Sequence, residues 1–311
     1  MKGALLLSVV LVPGLALAAP LRLVLDFYPN PNHVPLVVAQ EAGLFREAGV
    51  EVELVVPSDP SAPAKLVAVR AAELGLTPQL NYLLARDEGL PLLAVGALID
   101  GGLGGLLALR EAGITTLADL KGKRIGYSLE PLEPALWRAM LAQAGLGPRD
   151  YTLVYTGLAT LPALLSGSVE AIGAFRNFEP FAVEGAGRTP VFFPQEEHGV
   201  PDTYELLFVA HPATVRERGE EVRAVLRAVA EAIRRTREDP LSAFALFAKA
   251  FPELDDGLNR RSFAATLPLY ASGVRHDDRG RWTAVQDFLF AAGLIGRRLA
   301  TEDLYTTALL P

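Results

Sequence analysis

Residues 21–49 read LRLVLDFYPNPNHVPLVVAQEAGLFREAG, and this stretch decides the fold. Residues 21–25 have the pattern of a short strand. The chain then breaks into turn formers and side chains able to hold a ligand: Asp26, Phe27, Tyr28, Pro29, Asn30, Pro31, Asn32 and His33. An apolar helix is expected from Val34 to about Phe45. A strand end feeding a polar, aromatic loop that opens a helix is where open α/β folds place ligands. The prolines stiffen the loop, so its side chains are presented with little ordering entropy left to lose.

Working outward, strands are expected at residues 51–56, 73–77, 90–99, 106–109, 124–128, 151–155, 170–175, 189–193 and 205–210. Helices fall between them at 65–72, 81–87, 131–144 and 160–166. Strands alternating with helices at this spacing imply βαβ units and a mainly parallel α/β sheet. The run Asp100-Gly101-Gly102-Leu103-Gly104-Gly105 has three readings. As a phosphate loop it lacks the following Gly-Lys-Ser/Thr. A plain turn and a hinge remain, and the hinge is preferred because glycine absorbs backbone rotation cheaply. A second crossing is placed at the polar stretch 195–204. Two lobes follow, the first from residues 20–104 and 205–311, the second from 105–204.

Beyond residue 210 the pattern is helical. Val222, Val225, Leu226, Val229, Ala232 and Ile233 make one apolar stripe, with charges on the other face as a solvated surface. Helices at 241–251, 259–270 and 283–292 are expected to wrap the first lobe. Trp137 and Trp282 sit inside helical apolar patterns and are assigned to the core.

The chain has 311 residues, 50% hydrophobic and 21% charged, an ordinary globular composition. Residues 1–19 differ. Lys2 gives a positive start, an apolar run follows, and Ala16-Leu17-Ala18 reads as a small-x-small cleavage site, so a signal peptide is expected, with an uncleaved anchor as the alternative. The run is short of the ~20 residues a bilayer span needs. Losing Lys2 takes the formal charge from −7 to −8 (−7 − 1 = −8), which argues against nucleic acid as a partner. Cysteine is absent, which excludes disulfides, thiolate metal sites, a Cys nucleophile and a lipid-modified Cys. A periplasmic protein, not a lipoprotein, is the expected location.

No catalytic set emerges. The four histidines, His33, His198, His211 and His276, lack metal-ligand spacing, and no Gly-x-Ser-x-Gly elbow is present. No cofactor or metal is expected. His211 precedes Pro212 at a helix start and reads as structural; His276 reads as surface loop. His33 is either a helix-capping or loop-packing residue or a wall of a binding cleft. Phe27 or Tyr28 is expected to face that cleft and stack on a flat ring, with core packing as the alternative. Asn30 offers the donor and acceptor that a heterocycle edge requires. Gln79, Ser128, Phe175 and Tyr204, near strand ends or the second crossing, complete the expected binding set.

The wording of the opening stretch also resembles that of a known family. Its pattern D-aromatic-x-P-N-x-x-H-x-P-L at Asp26–Leu36, A-Q-x-x-G-x-F-x-x-x-G at Ala39–Gly49 and V-x-L at Val52–Leu54 resembles the NMT1/THI5-like periplasmic solute-binding proteins. D-L-K-G-K-x-I-G at Asp119–Gly126 is similar to the same superfamily. The resemblance implies the two-lobed periplasmic-binding-protein fold of type II and no enzymatic activity. It also implies a small flat solute such as a thiamin pyrimidine precursor, permease subunits of an ABC importer as partners, and a monomer. Riboflavin, a sulfonate or another anion are the alternative solutes. The segment Gly173–Glu179 resembles a family run reading Gly-Tyr-Trp-Asn-Tyr/His-Glu, which implies ligand-facing Asn177 and Glu179. Glu179 is otherwise a first-turn helix carboxylate. Arg176 stands where an aromatic is common, which shifts the expectation toward an anionic ligand, unless Arg176 pairs with Glu179. Related pyrimidine synthases carry a cysteine cluster near the second crossing, so a synthase-like activity is the weaker alternative for a chain without cysteine.

Overall fold

The computed structural model of the chain describes residues 19–57, 59 and 61–311. The expected leader lies, residue 19 apart, outside the described residues. Among the described residues ten strands form two sheets. The first holds β1 (Leu21–Val24), β2 (Val52–Val55), β3 (Leu74–Thr77), β4 (Leu93–Asp100) and β10 (Tyr204–Ala210), in the order β2-β1-β3-β10-β4. The second holds β5 (Gly104–Leu109), β6 (Arg124–Tyr127), β7 (Thr152–Tyr155), β8 (Ala171–Phe175) and β9 (Pro190–Pro194), in the order β7-β6-β8-β5-β9. Helices flank both, giving an α/β arrangement of two lobes.

Each sheet is mixed in the same way. Four strands run one way, and one runs against its neighbours: β10 against β3 and β4, β5 against β8 and β9. The opposed strand is in each case the first after the chain enters that sheet from the other. An entering strand starts at the edge where the βα strands end. The register places Gly104 beside Phe175, and Tyr204 beside Asp100. The two entry points, the ends of β3, β4 and β8, and the loop after β1 therefore gather at the junction of the lobes, the position where open α/β sheets take ligands.

The core follows the apolar pattern. Leu23, Val24, Leu74 and Leu76 are fully buried. The helix Val34–Glu41 packs on the long helix Gly219–Glu238, whose stripe from Val222 to Ile233 is buried while Arg234 and Arg235 pair with Glu231 on the outer face. Trp137 and Trp282 are both buried.

Several expectations need correction. The helix expected from Val34 to about Phe45 ends at Glu41, before a left-handed Gly43, and the one expected at 259–270 spans Gly257–Thr266. The helix expected at 65–72 spans Ala62–Ala68, because Pro63 fits the first turn of a helix, where no N–H is required. His276 is fully buried rather than in a surface loop; its ring packs edge-on against Tyr305, 5.6 Å between centroids, and burial pushes its imidazole down to about 4. His211 caps the helix Pro212–Glu217 by accepting the Ala213 N–H at 2.9 Å.

Candidate functional site

The loop after β1 is locked from within. His33 is 1% exposed. Its Nδ1 accepts the Asn30 N–H at 3.3 Å, which leaves the proton on Nε2, 2.7 Å from Asp26 Oδ1. Asn30 Oδ1 accepts the Asn32 N–H at 2.9 Å, and its amide donates to Tyr28 O at 2.9 Å. Asn30 is thus largely occupied in building its own loop. The Tyr270 hydroxyl donates to Pro31 O at 2.6 Å. On this fixed base Phe27 and Tyr28 stand 40% and 62% exposed, edge to face at 5.1 Å. Leaving two rings in water on a rigid loop forgoes burial free energy that a bound ring would recover.

The second lobe repeats the device. Tyr127 ends β6 and Tyr155 ends β7, with centroids 5.6 Å apart; Tyr155 is 66% exposed and Phe175, ending β8, 46%. Behind them the lobe's own carboxylates take the backbone N–H groups. Glu133 Oε2 accepts from Ser128 N at 2.6 Å, and the Ser128 hydroxyl donates to Oε1 at 3.1 Å. Glu179 Oε2 accepts from Phe175 N at 2.8 Å. Burial pushes both carboxyls above the usual range.

At the junction the charges meet. Arg176 pairs with Glu196, not with Glu179, because Glu179 turns back onto its own strand end. Its backbone N–H donates to Leu103 O at 2.9 Å. Glu205 Oε2 accepts the N–H of the same Leu103 at 2.8 Å, so one residue of the first crossing holds both lobes. Desolvation pushes the Glu205 carboxyl up to about 7; the Leu103 N–H and Arg176 oppose this, and the charges of Asp26 and Glu196 add to it.

Three expected residues serve structure. Asn177 is buried, and its amide donates to Asn32 Oδ1 and Thr266 Oγ1, both at 2.8 Å, tying the second lobe to the first. Gln79 is buried, and its Oε1 accepts the Tyr204 N–H at 3.0 Å. Tyr204 is 4% exposed and turns away from the junction: its hydroxyl accepts the Asp278 N–H at 3.0 Å, and Arg281 lies 4.3 Å over its ring. Alternation along β10 sends Glu205 the opposite way. Tyr204 instead lines a cavity of about 360 Å³ with Asp100, Ser272, Arg275, Asp277, Asp278 and Arg281. That cavity is walled by charges, many paired with one another, and has no exposed aromatic ring. Sequence reasoning missed Tyr127, Tyr155, Glu133 and Glu196. The two tyrosines carried a signal, an aromatic closing a strand as in the opening stretch; Glu196 carried none. Among the described residues no group of three His, Asp or Glu side chains is arranged to hold a metal.

The family described as NMT1/THI5-like matches over residues 30–243. A Haemophilus influenzae protein named, provisionally, for thiamine biosynthesis is 36% identical over 302 residues, covering 94% of this chain and 95% of that protein. The formylaminopyrimidine-binding protein of Halalkalibacterium halodurans is 31% identical, covering 92% and 89%. A Legionella pneumophila protein named 4-amino-5-hydroxymethyl-2-methylpyrimidine phosphate synthase is 27% identical, covering 95% and 94%. Among solved structures, the periplasmic aliphatic sulphonate-binding protein SsuA of Escherichia coli superposes with a TM-score of 0.74 at 20% identity, covering 91% of this chain and 96% of that one; at such identity the likeness carries the fold alone.

Proposed function

The chain belongs to the NMT1/THI5-like family, and from that premise we propose that it is an extracytoplasmic solute-binding protein of an ABC importer, closing on a small flat nitrogen heterocycle of the thiamin-pyrimidine-precursor class. The observation that carries the reading is the exposed aromatic surface at the strand ends of both lobes, Phe27 and Tyr28 on one and Tyr155 and Phe175 on the other, with the half-buried Tyr127 beside Tyr155. A flat ring gripped from two sides stabilises the closed form more than the open one, which is what shifts a hinge equilibrium. A shift from 1:99 to 99:1 needs about 5.5 kcal/mol of differential affinity. Aromatic contacts at about 0.5–1.5 kcal/mol each beyond burial, with hydrogen bonds to charged groups at about 1.5–3 kcal/mol each, are of that order. The closed monomer would dock on permease subunits of the importer.

Native mass spectrometry of protein purified without refolding is expected to release a retained heterocycle, and thermal-shift screening to rank pyrimidines above riboflavin and sulfonates. Phe27→Ala with Tyr28→Ala is expected to weaken binding by about 10–100-fold. Because both rings are solvent-exposed, stability should stay within about 0.5 kcal/mol of wild type. Unchanged affinity in that double variant overturns the assigned site. The second reading, a pyrimidine phosphate synthase, is favoured by the Legionella relative, aligned over nearly the whole chain. Its mark would be a pyridoxal chromophore on incubation with pyridoxal phosphate; a flat absorbance spectrum rejects it.

A further inference from the structure

We propose that the cleft selects its solute by charge, with Glu205 as a specificity-determining residue: it takes an uncharged or cationic ring that presents hydrogen-bond donors and refuses phosphate- or sulfonate-bearing relatives. The inference rests on the reading above, that the junction of the lobes is the binding site.

An anion entering this junction needs a free cation or free backbone N–H groups, and at the second lobe's side of the junction the ones described are taken. Arg176 is spent on Glu196; the pair is 29% and 22% exposed. At the end of β6 the Ser128 and Leu129 N–H groups are occupied by Glu133, and at the end of β8 the Phe175 N–H by Glu179. Two built-in carboxylates sit where a ligand's phosphate or sulfonate would otherwise be cradled. The junction itself holds Asp26, Glu196 and Glu205 against the single guanidinium of Arg176, a sum of 1 − 3 = −2 when all are ionised. His33 adds no charge in the tautomer its neighbours impose. Bringing a like charge beside such a site is strongly unfavourable.

Unpaired atoms point the same way. Glu205 is 8% exposed, and only one of its oxygens accepts a hydrogen bond among the described residues. Among the described residues Glu196 Oε2 is buried without a partner, as are Arg176 Nε and, at the end of β3, Gln79 Nε2. Two waiting acceptors and two waiting donors suit a ring that carries an amino group beside a ring nitrogen. Buried groups left unpaired discriminate strongly against a ligand that cannot complete them.

The test is isothermal titration of the full protein with two matched pairs: 4-amino-5-hydroxymethyl-2-methylpyrimidine against its phosphate ester, and riboflavin against riboflavin 5′-phosphate. In whichever pair binds, the unphosphorylated member is expected to be about 100-fold tighter. Glu205→Gln should narrow that ratio about tenfold. Glu196→Gln, at a position 22% exposed, should narrow it similarly by releasing Arg176. A phosphate ester bound as tightly as its parent, a ratio unmoved by both variants, or ethanesulfonate binding where the neutral rings do not, each overturns the charge rule. Riboflavin binding with no pyrimidine binding defeats the pyrimidine assignment alone, and the charge rule is then judged on the riboflavin pair.

Discussion

Glu205 is the second residue of β10, and its carboxyl sits at about 7 where 4.5 is ordinary. A folded-state value above the unfolded one means that the fold favours the neutral form. The associated stability is fully present below pH of about 4.5 and is lost as pH rises through about 7. A shift of this size corresponds to about 3 kcal/mol at most. Glu205→Gln, which keeps the shape and still accepts the Leu103 N–H, should therefore unfold at higher temperature than wild type at about pH 8, with the gap closing toward about pH 5. Glu133 and Glu179 are raised by burial in the same sense, and they remain in both proteins, so the difference isolates Glu205. Calorimetric scans at several pH values check this, and a gap independent of pH assigns the effect elsewhere. At this scale the sequence was least legible. Tyr204 and Glu205 are neighbours at the second crossing, alternation lets one of them face the junction, and the expected binding set holds Tyr204. What decides it is Trp282 and Arg281, far downstream, which give the Tyr204 ring its packing. The Arg176–Glu196 pair is hidden for the same reason: each residue is ordinary until β8 and β9, one on either side of β5, bring their ends level.

Among the elements, β5 shows that glycines grouped in one run can answer different needs. Glycine was read at residues 100–105 as backbone freedom for a hinge. Only Gly101, at φ +94°, has a conformation that other residues resist. Gly104 and Gly105 are strand residues of ordinary φ whose requirement is space: a Cβ on Gly105 would lie 2.3 Å from Phe193 O, and one on Gly104 2.8 Å from Gln195 Oε1. Phe193 O is backbone of the paired strand and can give way only if β5 and β9 separate. Gly105→Ala is accordingly expected to destabilise by at least the ~1–3 kcal/mol of ordinary overpacking. Gly101→Ala should cost about 1 kcal/mol through its left-handed conformation. Urea titrations of the two variants rank them; a milder Gly105→Ala means the strand edge is looser than its packing implies. The strands themselves were legible to within a few residues, because apolar runs and turn formers are local signals. The opposed strand in each sheet was not, since direction depends on which sheet the chain enters.

At the scale of the molecule, both crossings are tied to one side chain. Arg281, on the helix Arg279–Ala291, reaches Asp100 at the end of β4 and Asp202 just before β10, the latter at 2.7 Å. Asp202 also accepts the Gly102 N–H at 3.2 Å, so the first crossing is bound to the second through the same carboxylate. Arg281 is only 17% exposed, while the two aspartates are about half exposed. Removing the arginine therefore leaves them solvated and costs stability modestly, about 1 kcal/mol. The larger effect should fall on the hinge. Two crossing segments no longer held at one spacing can sample more lobe orientations, and a ligand that needs both lobes then loses affinity in proportion to the fraction not poised to close. Arg281→Met, which keeps the stem over the Tyr204 ring, is expected to broaden the distance distribution between spin labels placed one on each lobe, and to weaken solute binding several-fold although it touches no solute. Arg281→Lys restores the charge but not the fork that spans two carboxylates, and should behave like the Met variant. If Lys instead restores the wild-type distribution, charge alone sets the spacing and the bridging geometry is not what stiffens the crossings.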